Sequence, residues 1–310
     1  MDNALLFSLK GFSGVNNTDP EWRLPIAEVD KAHIGVVTDM GTIENLDIDN
    51  ANSLKTRPGA VLKISGTDLH SLWANNGVCF YVDGDTLYSL STEYATTVLK
   101  TGLSYGSRMV YQPVNDRIYM TNGQWIGYYK GGTLYDLALP TIEYKVVLPA
   151  GQHLTYYQGQ LFVAAGNVLY ISDPLSDHFD IRSGYRQFAG RITMLHGMGK
   201  GIYVADGETW FMTRSPAIRT DEPDEFRRES VLSVDAIPYT DVEINGADVK
   251  EGGANDDYLC WVSINGICIG DADGKVAQVT SSKYHLPDYV VGSAYLRRVS
   301  GVNHYIATLG

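Results

Sequence analysis

An all-β fold, a single β-propeller of five or six four-stranded antiparallel blades with an N-terminal arm, is what this sequence predicts. Three observations predict it. One short pattern recurs: an apolar-aromatic run, a glycine turn, then a second such run. Its copies are Val78–Val82 into Leu87–Tyr88, Ile118–Met120 into Trp125–Ile126, Leu161–Val163 into Val168–Tyr170, Ile202–Val204 into Trp210–Phe211, and Tyr258–Val262 into Ile267–Ile269. The turn glycines Gly84, Gly123, Gly166, Gly207 and Gly266 stand 39, 43, 41 and 59 residues apart, and a period of this size marks a repeat architecture. Each glycine lies in a hairpin-turn dipeptide: Asp83-Gly84, Asn122-Gly123, Gly166-Asn167, Asp206-Gly207 and Asn265-Gly266. Small hairpins repeated in this way form radially arranged sheets.

Along the chain, residues 1–45 carry no blade hairpin and are expected to form an arm and a ring-closing segment. Asn16 to Glu21 is turn-rich, and Pro20 and Pro25 restrict any helix there. Residues 46–310 hold the propeller. At its start Leu46 and Ile48 alternate with polar residues as on a half-polar strand, before a turn ending at Arg57-Pro58-Gly59. In the second hairpin an Asn122-Gly123 turn would pair Met120 with Trp125 and Tyr119 with Ile126. In the fourth, Asp206-Gly207 would pair Tyr203 with Trp210. In the fifth, Asn265-Gly266 would pair Ile264 with Ile267 and Ser263 with Cys268. The wide step before Gly266 predicts an inserted loop region at about 214–257, charged and rich in glycine and proline; such insertions map to one face of a repeat protein, often the binding face. The C-terminal run Tyr295 to Leu309 reads as one more hairpin, expected to lie near residues 31–64 and close the circle, because an open edge strand invites aggregation.

Composition agrees with many short strands: Gly 32 and Tyr 21 in 310 residues, with 44% hydrophobic and 19% charged. No window is long and apolar enough for a membrane span. The first residues, Met1 to Leu6, lack a signal peptide's basic region and apolar core, so synthesis in a cytosol is expected. The net charge of -12 opposes the phosphate neutralisation on which nucleic-acid affinity rests, while suiting a passage through which DNA slides without sticking. Cys79, Cys260 and Cys268 lie in apolar strand contexts. The hairpin pairing puts Cys260 and Cys268 on opposite faces, where no disulfide can join them, so all three are expected as reduced, buried thiols.

No catalytic or metal-binding constellation emerges, and no cofactor is implied. The seven histidines show no metal-ligand spacing; His70, His153, His196 and His304 each bound an apolar run. HExxH, paired CxxC, GxSxG and Walker patterns do not occur. Gly197-Met198-Gly199-Lys200-Gly201 lies between two strands and reads as a flexible turn. Asp271-Ala272-Asp273-Gly274-Lys275 and Asp47-Ile48-Asp49-Asn50 gather carboxylates without the remainder of a calcium loop, so they read as surface turns. A carbohydrate-binding or glycan-cleaving propeller is the rival reading. The nearest match to a sialidase Asp-box, Asp206-Gly207-Glu208-Thr209-Trp210, lacks the residue between Asp and Gly, and hydrolysis needs a converging set of acids that sequence does not display.

Residues 168–213 are more specific. They run Val168-Leu169-Tyr170-Ile171-Ser172-Asp173-Pro174, then His178-Phe179-Asp180, Arg191-Ile192-Thr193, Gly201-Ile202-Tyr203-Val204 and Thr209-Trp210-Phe211-Met212. This order resembles structural proteins of tailed-bacteriophage virions. Gly11 to Asn17, Asn45 to Asp49 with Arg57-Pro58-Gly59, and Tyr295 to Arg298 with Tyr305-Ile306-Ala307 are similar to the same group. The resemblance implies a non-enzymatic tail component, a hub, nozzle or adaptor, assembled as a homo-oligomeric ring around the DNA exit channel. Its partners would be portal, adaptor or fibre proteins, its location the virion, and it would bind no nucleic acid sequence-specifically. A receptor-binding tail protein is the nearest variant.

Interface cores favour aromatics and arginine. The expected contact residues are therefore Asp221, Glu222, Phe226, Arg227 and Arg228 in the insertion, with Asn16, Asn17, Trp22 and Arg23 of the arm as a second surface.

Overall fold

The computed structural model describes residues 61–75, 77–215, 225–246, 257–280, 286, 290–299 and 302–310, with the backbone of six short strands in the first sixty residues. The chain divides into two compact units. The larger comprises Leu62–Ala236 with Ala272–Lys275, and the other comprises Met1–Val61, Ile237–Asp271 and Val276–Gly310.

The larger unit contains four antiparallel four-stranded blades. In the first, β7 (Leu69–Asn75), β8 (Val78–Asp83), β9 (Thr86–Leu90) and β10 (Thr96–Lys100) lie side by side; the second is β11 (Val110–Val114), β12 (Arg117–Thr121), β13 (Ile126–Lys130) and β14 (Thr133–Asp136). The third joins β16 (His153–Tyr157), β17 (Gln160–Ala165), β18 (Val168–Ile171) and β20 (Tyr185–Gln187), and the fourth β21 (Met194–Gly197), β22 (Ile202–Ala205), β23 (Thr209–Ser215) and β24 (Glu225–Leu232). A separate ladder of β15 (Lys145–Val147) and β19 (His178–Asp180) interrupts the repeat. The other unit holds the fifth blade, β25 (Val242–Ile244), β26 (Tyr258–Ser263), β27 (Gly266–Gly270) and β28 (Val276–Gln278). The fold is a β-propeller, with five four-stranded blades among the described residues.

The other unit also holds the paired β29 (Gly292–Val299) and β30 (Val302–Leu309), the expected C-terminal hairpin. Near the N-terminus β1 (Gly14–Val15) pairs β4 (Asp39–Met40), β2 (Ile26–Val29) pairs β3 (Ile34–Val37), and β5 (Leu46–Ile48) pairs β6 (Leu54–Thr56). Among the described residues no ladder links β29 or β30 to residues 31–64. The stretch expected as an inserted loop carries two blade strands, β24 and β25, while residues 216–224 and 247–256 lie outside the described residues.

The recurring aromatic hairpin is the second and third strand of every blade. The second strand of each blade is buried along most of its length, which is why it reads as a continuous apolar run, whereas the third strand is only partly buried. In the larger unit the core consists of seams between successive blades. Phe80, Val82 and Leu87 meet Met109 and Met120; Tyr119 meets Leu154, Leu161 and Val163; Phe162, Leu169 and Ile171 meet Leu195, Ile202 and Val204. Fully burying one such side chain stabilises by about 1.5–3 kcal/mol. Successive blades are also stitched by polar groups. Ser71 Oγ accepts the Met109 N–H at 2.9 Å, and Thr155 Oγ1 accepts the Gly197 N–H at 2.9 Å. Thr121 Oγ1 both donates to the Gly151 carbonyl and accepts its N–H, each at 3.0 Å.

Three hairpin registers differ from expectation, each for a local reason. In the second blade Thr121 pairs with Ile126 and Met120 with Gly127, leaving a four-residue loop, 122–125. Asn122 Oδ1 accepts the N–H groups of Gln124 and Trp125 at 3.1 and 2.8 Å, an Asx turn that supplants the two-residue turn. In the fourth blade Ala205 pairs with Thr209, so the loop has three residues and Trp210 faces Val204. Tyr203 pairs instead with Phe211, ring centroids 4.8 Å apart. In the fifth, Ser263 pairs with Gly266 and the turn residues are Ile264 and Asn265. That shift is two residues, so it preserves the faces: Cys268 sits opposite Trp261, Cys260 opposite Ile269, and all three cysteines are free thiols. Burial pushes the Cys260 thiol up to about 12.

The second-blade loop folds Trp125 back over Gly127: a Cβ on Gly127 would lie 2.3 Å from the indole and 2.5 Å from the Tyr135 carbonyl oxygen. Because backbone supplies one wall, Gly127→Ala is expected to destabilise by about 1–3 kcal/mol. The check is urea unfolding, with a displaced Trp125 emission as the accompanying sign.

Candidate functional site

The second and third blades part at one end to leave a cleft of about 210 Å³. Two tight turns and one irregular segment build it. Asn115-Asp116 joins β11 to β12, and Gln158-Gly159 joins β16 to β17. The connection from β18 to β19 contributes Leu175 and Ser176. Asn115, Gln158 and Leu175 have φ of +54°, +46° and +54°. Asparagine tolerates that left-handed conformation, whereas for a bulky leucine it is an outlier. Leu175 is held there by donating its N–H to the Gly159 carbonyl at 2.7 Å, which ties the segment to the β16–β17 turn.

At the cleft wall Arg117 Nη1 donates to Asp177 Oδ2 and to the Tyr119 hydroxyl, both at 3.1 Å. The Tyr119 hydroxyl in turn donates to Asp177 Oδ1. Burial first, then the Asp177 carboxylate, pushes the Tyr119 hydroxyl above its ordinary range, so it stays protonated and remains a donor. The Arg117 guanidinium also lies 4.6 Å from the centroid of the Tyr128 ring. On the rim Lys130 pairs with Asp116 at 2.6 Å, and its hydrogen bond lowers the Asp116 pKa.

A second polar network runs from the cleft along β15 and β19. Lys145 Nζ bridges Asp173 at 2.7 Å and Asp180 at 3.3 Å. Asp180 receives a bidentate Arg182 at 2.9 and 2.7 Å, which holds its carboxyl well below the usual carboxylate range. The Arg182 guanidinium stacks 4.3 Å from the Tyr144 ring centroid. Ser176 Oγ lies 2.6 Å from His178 Nδ1 and also accepts the His178 backbone N–H at 3.2 Å. That is the geometry of a local serine turn. The charges here are mutually satisfied, and the arrangement is built to hold shape and to offer hydrogen bonds. Among the described residues no group of three or more His, Cys, Asp or Glu is placed to hold a metal ion, and no helix is long and apolar enough to cross a membrane.

Of the residues singled out as contacts, Asn16, Asn17, Trp22, Arg23, Asp221 and Glu222 lie outside the described residues. Phe226, Arg227 and Arg228 fall on β24, the outer strand of the fourth blade. Phe226 is half-buried, its ring edge-on to Phe162 at 5.9 Å, with the Arg186 guanidinium 5.6 Å from it. Arg228 lies over Trp210 and Phe188, at 4.9 and 5.6 Å, and Arg227 is exposed. The two turns noted for their glycines and acids meet: Lys200 pairs with Asp273 at 2.5 Å. Sequence reasoning missed Arg117, Tyr119 and Asp177. Some sixty residues separate the acid from its partners, and only the docking of adjacent blades brings them together.

No protein-family model and no curated protein matches this chain. Solved structures do. BBS1N in its complex with ARL6DN is 12% identical over 84% of this chain and 82% of that one, with a TM-score of 0.50. YCF48 from Cyanidioschyzon merolae is 9% identical over 76% and 80%, TM-score 0.45. The WD40 β-propeller domain of Doa1 is 13% identical over 67% of each chain, TM-score 0.40. At such identities the likeness concerns the fold, the β-propeller, and nothing finer.

Proposed function

We propose that this chain is a non-enzymatic structural component of a bacteriophage tail, a hub, nozzle or adaptor, that assembles as a ring with other tail proteins around the DNA exit channel. The observation that carries this reading is an apolar surface outside the blade repeat. Ile142, Tyr144, Val146 and Ile181 are exposed on and beside the β15–β19 ladder, with Leu139 80% exposed just before it. Apolar side chains gathered on an appendage that completes no blade suit a protein–protein contact. The Ser172-Asp173-Pro174 and His178-Phe179-Asp180 elements, on which the likeness to virion proteins rests, form that ladder and its approach. The net charge of -12 suits a wall past which DNA moves without adhering.

Light scattering on the full chain, alone and mixed with the products of its neighbouring genes, tests the proposal. The expected result is a closed oligomer or a stoichiometric co-complex that Ile142→Glu, at an exposed position, dissociates without lowering the melting temperature. A monomer that joins none of those proteins, encoded away from portal and terminase genes, would overturn it.

A further inference from the structure

From the cleft between the second and third blades we infer that this protein binds a neutral, polyhydroxylated ligand there, the terminal sugar of a glycan. The inference stands apart from the tail reading, since it concerns a different surface.

Size sets the first limit. About 210 Å³ is below the roughly 300–1,000 Å³ of sites for drug-sized molecules, so the cleft takes one small ring. Charge sets the second. The charged groups that line the cleft are one acid, Asp116, and one base, Arg117, and each is already paired with a residue outside the lining, Lys130 and Asp177 respectively, so the wall is balanced. A phosphate or carboxylate entering here meets the Asp116 carboxylate, and a cation meets the Arg117 guanidinium; each faces a like charge. What such a wall accommodates is a neutral group able to donate and accept at once. Carboxylate oxygens only accept, guanidinium nitrogens only donate, and Ser176 and Asn115 do both. Adjacent sugar hydroxyls have that dual character. The half-buried Tyr156 and the side chains of Leu161 and Leu175 supply apolar surface for the C–H face of the ring.

Backbone conformation is the independent observation. Of the seven non-glycine residues with positive φ among the described residues, three, namely Asn115, Gln158 and Leu175, sit in or beside this one cleft. Leu175 is 82% exposed, so no burial of its side chain offsets the strain. Strained residues held in place by their surroundings cluster where a binding geometry is pre-set.

The test is a glycan array probed with the full chain, carrying glucose-, galactose-, mannose- and N-acetylhexosamine-terminated glycans beside sialylated and sulfated ones. Calorimetry then follows the best neutral hit. Asn115→Gly removes a side chain from the rim where glycine suits the backbone, so its fold is retained; Arg117→Ala removes the central donor. Binding of a neutral glycan, weakened on the order of tenfold by Asn115→Gly and at least as much by Arg117→Ala, is expected. If Arg117→Ala does not fold, Asn115→Gly alone decides. No neutral glycan bound, affinity unchanged in Asn115→Gly, or a preference for sialylated or sulfated glycans would each overturn the inference.

Discussion

Phe162→Ala is expected to lower the unfolding free energy by about 3–5 kcal/mol, the upper range for core truncations. Phe162 is 0% exposed on a central strand of the third blade. It packs in a seam with Leu169 and Ile171 of its own blade and Leu195, Ile202 and Val204 of the next. Both walls of the resulting cavity are hydrogen-bonded ladders, which restricts collapse into the void, and a domain is stable by only about 5–15 kcal/mol in all. Urea titration should show a large fall in the midpoint with little change in slope. Phe226→Ala, which removes a half-buried ring from the edge of the same cluster, should cost clearly less. If the two variants were equally destabilised, the seam would not be where stability resides.

The sequence pattern exposed the central hairpin of each blade because those strands are apolar along their length and end in glycine turns. Tyr81 stacked on Tyr88 at 5.0 Å, and Tyr119, Tyr128 and Tyr135 in a row across the second blade, are the cross-strand pairs such a pattern produces. First and fourth strands were less visible. β24, for instance, reads Glu-Phe-Arg-Arg-Glu-Ser-Val-Leu, and its polar residues resemble a loop. Register depended on side chains that no turn rule contains: Asn122 closing a four-residue loop, Asp206 opening a three-residue one. A slip of one residue turned Trp210 from Tyr203 to Val204, whereas the slip of two in the fifth blade left Cys260 and Cys268 on their expected faces. Turn residues of the cleft are ordinary in sequence. Only blade docking sets Arg117 against Asp177, and only the backbone reveals that Leu175 is left-handed.

Asp206→Ala is expected to destabilise by about 2–3 kcal/mol, and the reason bears on whether this propeller cleaves glycans. Asp206 opens the stretch nearest to an Asp-box, so as a free acid it would be a candidate for catalysis. Both of its oxygens are occupied instead. Oδ1 accepts the Trp210 indole N–H at 2.6 Å, and Oδ2 accepts the N–H groups of Ala189 and Gly190 at 3.1 and 3.3 Å. It thus joins its own hairpin to the chain entering the fourth blade. Hydrogen bonds to a charged acceptor contribute about 1.5–3 kcal/mol each, and water reaching this partly exposed site recovers a share of the three that are lost. Asp206→Asn retains one carbonyl oxygen but turns an amide N–H toward a donor, so an intermediate loss is expected. Urea unfolding followed by tryptophan emission reads both variants, since the Trp210 indole loses its partner. If Asp206→Ala kept full stability while a model glycoside hydrolysed by the parent chain was no longer cleaved, this carboxylate would be a catalyst and the scaffold reading would fall.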